Sequence, residues 1–107
     1  MNELYFDSFK QLQIFLLLIN NSKGLERDKI VKILHIPRTT VFDNITKMRK
    51  KYINKTPYIK QYSRHTHKKG RPKIFFIIPS YIKHTFMSFE IPNIYVNNII
   101  INTNEIL

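Results

Sequence analysis

The sequence predicts one α+β domain in which three helices precede a two-stranded hairpin. Apolar residues recur at helical spacing in three segments of the first half. Further along, two runs rich in aromatic and β-branched residues flank a basic stretch that contains glycine and proline. The 107 residues suit a single domain. We expect its core and hairpin within residues 7–89 and a tail over 90–107.

The three helices are predicted over residues 7–21, 26–34 and 38 to about 52. The first is apolar on nearly every side, so it should be buried on more than one face. The second carries Glu26 and Asp28 in its first turn, where the helix dipole favours acids. Pro37 separates it from the third helix, whose narrow apolar stripe includes Val41 and extends to Tyr52.

The hairpin is predicted from strands over residues 58–62 and 73–78, joined by a long basic loop over 63–72. A short helix from residue 80 to about 89 follows. The tail over 91–107 is rich in isoleucine and asparagine. It and the first helix offer more apolar surface than one small core needs, which predicts a homodimer through residues 7–21 and 91–107. The alternative is a tail that folds back on its own core.

Charge is concentrated in one third of the chain. The whole chain has a net charge of +11, and residues 38–73 hold 12 basic residues and a single acid, Asp43. The formal charges of the remaining residues sum to zero. This concentration favours a polyanion as partner, with nucleic acid preferred over a membrane surface.

Several other classes of function are disfavoured. The chain has no cysteine, which excludes disulfides, thiolate metal sites and a cysteine nucleophile. His65 and His67 form a His-x-His pair, but no acid lies near them in sequence, so we interpret them as polar loop residues rather than metal ligands. Catalytic triads, carboxylate pairs and phosphate-binding glycine loops are not found. We predict a protein that is not an enzyme and has no cofactor and no metal.

The N-terminal residues lack the basic segment of a signal peptide. The longest early apolar run, over 14–19, is far shorter than the roughly 20 residues that span a bilayer. We therefore expect a cytoplasmic, nucleoid-associated protein that does not enter a membrane.

Two segments resemble the winged helix-turn-helix family, especially the MarR-like and ArsR-like regulators. Residues 28–41, DKIVKILHIPRTTV, are similar to its helix, turn and start of the recognition helix, and residues 69–76, KGRPKIFF, are similar to its wing. The resemblance covers residues 28–89. It implies a three-helix core with a two-stranded β-wing and a C-terminal helix or tail. It also implies double-stranded DNA as partner, with the third helix in the major groove and the wing on the minor groove or backbone. No effector-binding segment is recognisable.

The resemblance and the charge together nominate three sets of DNA-contacting residues. The base-edge set on the third helix is Arg38, Thr39, Thr40, Asp43 and Lys47. The phosphate set, which also complements the helix dipole, is Arg49, Lys50, Lys51 and Lys55. The wing set is Arg64, His65, Lys68, Lys69 and Arg71.

Some of these residues depart from the family pattern or carry a second interpretation. His35 stands where a small residue is usual, Asp43 could accept from cytosine N4, and Phe42 either packs on the wing or contacts a thymine methyl. Residues 69–73 also resemble an AT-hook, in which Arg71 would enter a narrow A·T-rich minor groove. The alternative is a plain turn with solvated charges.

Three functions remain open: a sequence-specific transcriptional regulator, an architectural DNA binder with little sequence preference, and a winged-helix protein-interaction module. The regulator is preferred.

Overall fold

The computed structural model describes residues 3–65, 70–87 and 93–101 of the chain. The elements are β1 (Glu3–Phe6), α1 (Phe9–Ile19), α2 (Arg27–Leu34), α3 (Arg38–Met48), β2 (Tyr52–Ile53), β3 (Thr56–Pro57), β4 (Lys60–Arg64), β5 (Lys73–Ile77), α4 (Ser80–Met87), β6 (Asn93–Val96) and β7 (Ile99–Ile101). Helices and small sheets of this kind confirm the predicted α+β class. None of the helices in the described part is long and apolar enough to cross a membrane.

α1 is the centre of the hydrophobic core. Ser8 caps its N-terminus by accepting from the Gln11 backbone N–H at 3.3 Å, and the buried Gln11 Oε1 accepts from the Asp7 N–H at 2.9 Å. Leu12, Ile14, Phe15, Leu18 and Ile19 are all buried. The helix is therefore covered on several sides, as its apolar sequence predicts.

A three-residue connection joins α2 to α3. His35 adopts the left-handed conformation, with a φ of 55°, and its N–H donates to the Val31 carbonyl at 2.9 Å. Ile36 is buried, and the carbonyl of Pro37 accepts the first hydrogen bond of α3 from Val41. The change of chain direction between α2 and α3 thus depends on a left-handed His35, a conformation that glycine would adopt with less strain.

α3 ends at Met48, one turn earlier than predicted. Tyr52 is not part of its buried stripe but a 60% exposed residue of β2. β2 pairs with β3 across a two-residue turn in which Asn54 and Lys55 both have positive φ. Two successive positive φ angles match the strand twist of a tight hairpin. The chain therefore forms this hairpin here instead of continuing α3.

The predicted basic hairpin is formed by β4 and β5, which pair antiparallel from Lys60–Ile77 to Arg64–Lys73. The loop before α2 joins its edge, since Leu25 and Phe76 exchange backbone hydrogen bonds of 3.1 and 2.9 Å. Gly24 precedes this bridge with a φ of 85°, and a Cβ there would lie 2.8 Å from the Phe76 carbonyl oxygen. The hairpin is therefore tied to the start of α2.

The remaining sheet was not predicted. β1 pairs in parallel with β6, which pairs antiparallel with β7 across a turn at Asn97 and Asn98. Inner side chains of β1 and β6 complete the core: Leu4, Phe6, Ile94 and Val96. The tail segment 93–101 thus folds back on its own core, while residues 88–92 and 102–107 lie outside the described part.

The opposite side of this sheet, which we call the outer face, is mostly apolar and has Glu3 and Asn93 at one end. The rings of Tyr5 and Tyr95 stack with centroids 4.9 Å apart, and Ile100 lies opposite Tyr95 and is 58% exposed. Ile99, next to it, is also exposed. The Tyr5 N–H donates to the Tyr58 hydroxyl, which closes the free edge of β1 and leaves β7 as the edge with no pairing strand among the described residues.

Candidate nucleic-acid interface

α3 presents a polar face because its opposite side is held in the core. Val41, Ile45 and Met48 are buried, and Asn44 is pinned by donating to the Thr40 carbonyl at 2.8 Å. In the base-edge set, Thr40 is half-buried, and the exposed members are Arg38, Thr39, Asp43 and Lys47. The helix therefore offers four of the five predicted side chains to a partner.

A groove of about 480 Å³ separates the first turns of α3 from β5. We call it the α3–β5 groove. Its cationic lining residues are Arg27, Arg38, Arg71 and Lys73. Its apolar lining residues include Phe42, Ile74 and Phe76. The structure thus brings the start of the predicted recognition helix and the predicted wing arginine to the two sides of one depression.

The β4–β5 hairpin is held in place beside the groove by contacts with the loop before α2. The Tyr62 hydroxyl donates to the Lys23 carbonyl, and the Tyr62 and Phe75 rings stack with centroids 5.3 Å apart. Together with the Leu25–Phe76 bridge, these contacts fix β4 and β5 against the loop before α2.

Arg27 lies in the groove, although it was not among the residues predicted to bind DNA. Its guanidinium carbon lies 5.8 Å from the centroid of the Phe42 ring, close enough for a cation–π contact. A smaller cavity of about 190 Å³ on the same side of α3 is lined by Arg27, Arg38, Thr39, Phe42 and Asp43. Arg27 could not be singled out by charge, because Glu26 and Asp28 flank it and the net charge of this segment is not positive.

Those two acids face the groove cations. Asp28 Oδ1 lies 3.5 Å from Arg38 Nε and 4.0 Å from Arg27 Nε, and Glu26 Oε1 lies 3.8 Å from Lys73 Nζ. The Arg38 and Asp28 side chains are 61% and 66% exposed, so this pair adds little to stability. From the sequence, both acids were interpreted only as residues that favour the helix dipole of α2.

The phosphate set divides into two kinds of residue. Arg49, Lys50 and Lys55 are exposed, at the end of α3 and in the β2–β3 turn. Lys51 instead donates to Asp7 Oδ1 at 3.0 Å, and this hydrogen bond holds the pKa of Asp7 below its usual range. Lys51 therefore joins the end of the α3 region to the start of α1, which sequence reasoning did not foresee.

The described part of the predicted wing is open to solvent. Arg64 and His65 are exposed at the end of β4, and Gly70 and Arg71 are exposed before β5. Lys68, Lys69 and His67 lie outside the described residues. Among the residues that are described, no cluster of three histidine or acidic side chains is arranged to hold a metal ion.

Comparison of the chain with protein-family models, with curated proteins and with solved structures gave no match.

Proposed function

We propose that the protein is a double-stranded DNA-binding protein with a winged helix-turn-helix arrangement, acting as a transcriptional regulator. α3 would enter the major groove, which is about 12 Å wide and admits a helix. The β4–β5 hairpin would serve as the wing on the adjacent minor groove or backbone. The observation that carries the proposal is the α3–β5 groove, in which Arg38 and Arg71 line one depression.

Charge supports the same surface. All of the chain's net charge of +11 resides in residues 38–73, which include α3, β4 and the first residue of β5. Phosphate neutralisation would then dominate affinity, because each contact releases condensed counterions from the duplex. If about six phosphates are engaged, log K should fall with log salt at a slope of roughly −5.

The test is fluorescence anisotropy with a labelled random-sequence duplex, measured between 50 and 200 mM salt. Binding that weakens with the expected slope supports the proposal. Undetectable affinity at about 150 mM salt would contradict it and favour a protein-interaction module. Competition with excess random duplex then separates a regulator, which retains its selected site, from an architectural binder, which does not.

We also propose that the protein acts as a homodimer through the outer face and the free edge of β7. Tyr5 and Ile100 are exposed on the outer face, Ile99 is exposed on the edge strand β7, and the three strands of the sheet contain one charged residue, Glu3. A two-fold dimer would favour half-sites about 34–36 Å apart.

Light scattering tests the dimer. Point changes suit it better than removal of the tail, because Ile94 and Val96 belong to the core. We expect I99K/I100K to reduce a dimeric mass to a monomeric one. The control I33K changes an exposed isoleucine of α2 to lysine and should leave the mass unchanged. A monomeric mass for the unaltered chain at micromolar concentration would overturn the dimer.

A further inference from the structure

The ion pair between Asp28 and Arg38 bears on how Arg38 would contact a base. Arg38 is the first residue of α3, and the N-terminal residues of a recognition helix are those that reach base edges. Asp28 lies one helix earlier and approaches Arg38 at Nε, at 3.5 Å. An ion pair at Nε leaves the two terminal nitrogens of the guanidinium available to another partner.

The pair also alters which partner Arg38 prefers. A phosphate attracts an arginine through net charge, and a neighbouring carboxylate cancels most of that attraction. Guanine presents O6 and N7, two neutral acceptors that match the paired donors of a guanidinium. An arginine already paired with a carboxylate therefore loses more affinity for phosphate than for guanine.

Neighbouring contacts limit where the guanidinium of Arg38 can go. Arg27 and Phe42 line the cavity of about 190 Å³ beside Arg38, and Arg27 is itself held over the Phe42 ring. The same Asp28 oxygen lies 3.5 Å from Arg38 Nε and 4.0 Å from Arg27 Nε. One carboxylate is thus close to the first residue of α2 and to the first residue of α3.

We propose that Asp28 is a positioning residue that directs Arg38 to a guanine in the major groove and away from phosphate. This inference depends on the DNA binding proposed above. Asp28 determines base preference without touching the DNA, and its loss frees Arg38 to act as one more phosphate ligand.

The experiment selects preferred sites from a random duplex library with the full chain and with D28N, R38K and D7N. D7N is the matched control, because it removes an acid whose cation partner, Lys51, does not line the α3–β5 groove. Circular dichroism confirms that each variant is folded. Affinity for random duplex is then measured against salt.

We expect the unaltered chain to select guanine at one position, and D28N and R38K to reduce that preference by about fivefold or more. D28N should also bind random duplex about two- to fivefold more tightly, with a salt slope steeper by about 0.9. D7N should keep the guanine preference. An unchanged guanine preference in D28N, or no selected guanine in the unaltered chain, would overturn the role of Asp28. Failure of the unaltered chain to bind any duplex would instead overturn the proposed function.

Discussion

The α3–β5 groove and the β1–β6–β7 sheet are built from contrasting residues. Four cations and two acids line the groove, and most of their side chains are exposed. The sheet contains one charged residue and places Leu4, Phe6, Ile94 and Val96 in the core. The sheet therefore contributes to folding and the groove does not, because exposed charge adds little to stability and buried apolar area supplies most of it. Changes in the sheet should therefore alter folding, and changes in the groove should alter binding.

The largest expected effect is on the sheet side. Ile94→Ala should lower the free energy of unfolding by about 2–4 kcal/mol, because Ile94 is 1% exposed and its removal leaves a cavity. Urea denaturation measures the loss. Ile33→Ala is the control, since Ile33 is half exposed on α2 and should cost less than about 1 kcal/mol. Equal losses would mean that the sheet is not part of the cooperative core.

On the groove side, Arg71→Ala should weaken binding to A·T-rich duplex by about 1–2 kcal/mol, roughly five- to thirtyfold, and binding to G·C-rich duplex by less. The reason is the stronger negative potential of the narrow A·T minor groove. Anisotropy titrations of both duplexes measure the difference. Lys60→Ala serves as the control, because Lys60 is an exposed residue of the same hairpin that does not line the groove. An equal loss on the two duplexes would make Arg71 a phosphate contact only.

Two neighbouring lysines sharpen the contrast within one segment. Lys50→Ala should reduce the salt slope of duplex binding by about 0.9, as expected for one lost phosphate contact. Lys51→Ala should leave the slope nearly unchanged and lower stability instead, because Lys51 pairs with Asp7. Salt titration and thermal denaturation of both variants test this. A similar change of slope in the two would place Lys51 at the DNA.

The smallest expected effect concerns the same ion pair and pH. Lys51 holds the pKa of Asp7 below its unfolded value of about 3.9. The pair therefore stabilises the fold above that value, and the stabilisation is lost as pH falls through the folded-state pKa. Because Asp7 is 54% exposed, the contribution should stay below about 1 kcal/mol. Asp7→Asn should be less stable than the unaltered chain at pH 7, and the difference should shrink at pH 3. A difference that is constant with pH would show that the charge of Asp7 does not contribute to stability.

Sequence reasoning recovered the elements that local patterns encode. Helical periodicity located α1, α2 and the start of α3, and β-branched and aromatic runs located β4 and β5. It missed the end of α3, where the turn at Asn54 and Lys55 decides the outcome. It also missed the sheet, because the four residues of β1 become a strand only through a partner at the far end of the chain.

The candidate site shows the same division. Individual cations could be nominated from charge, and Arg38 and Arg71 do line one groove. Sequence could not show that Asp28 and Glu26 face those cations, since helix packing brings them across the gap between α2, α3 and β5. It could not distinguish Lys50 from Lys51 either, because only the position of Asp7 separates the two.

The parallel pairing of β1 with β6 has a consequence for protein synthesis. β1 is translated before all four helices, and its partner strand β6 is translated only after α4. Until then Leu4 and Phe6 have no strand beside them, whereas the helices and the basic hairpin can already form from nearby contacts. A nascent chain stalled before Asn93 would therefore carry the complete α3–β5 groove on an unfinished core.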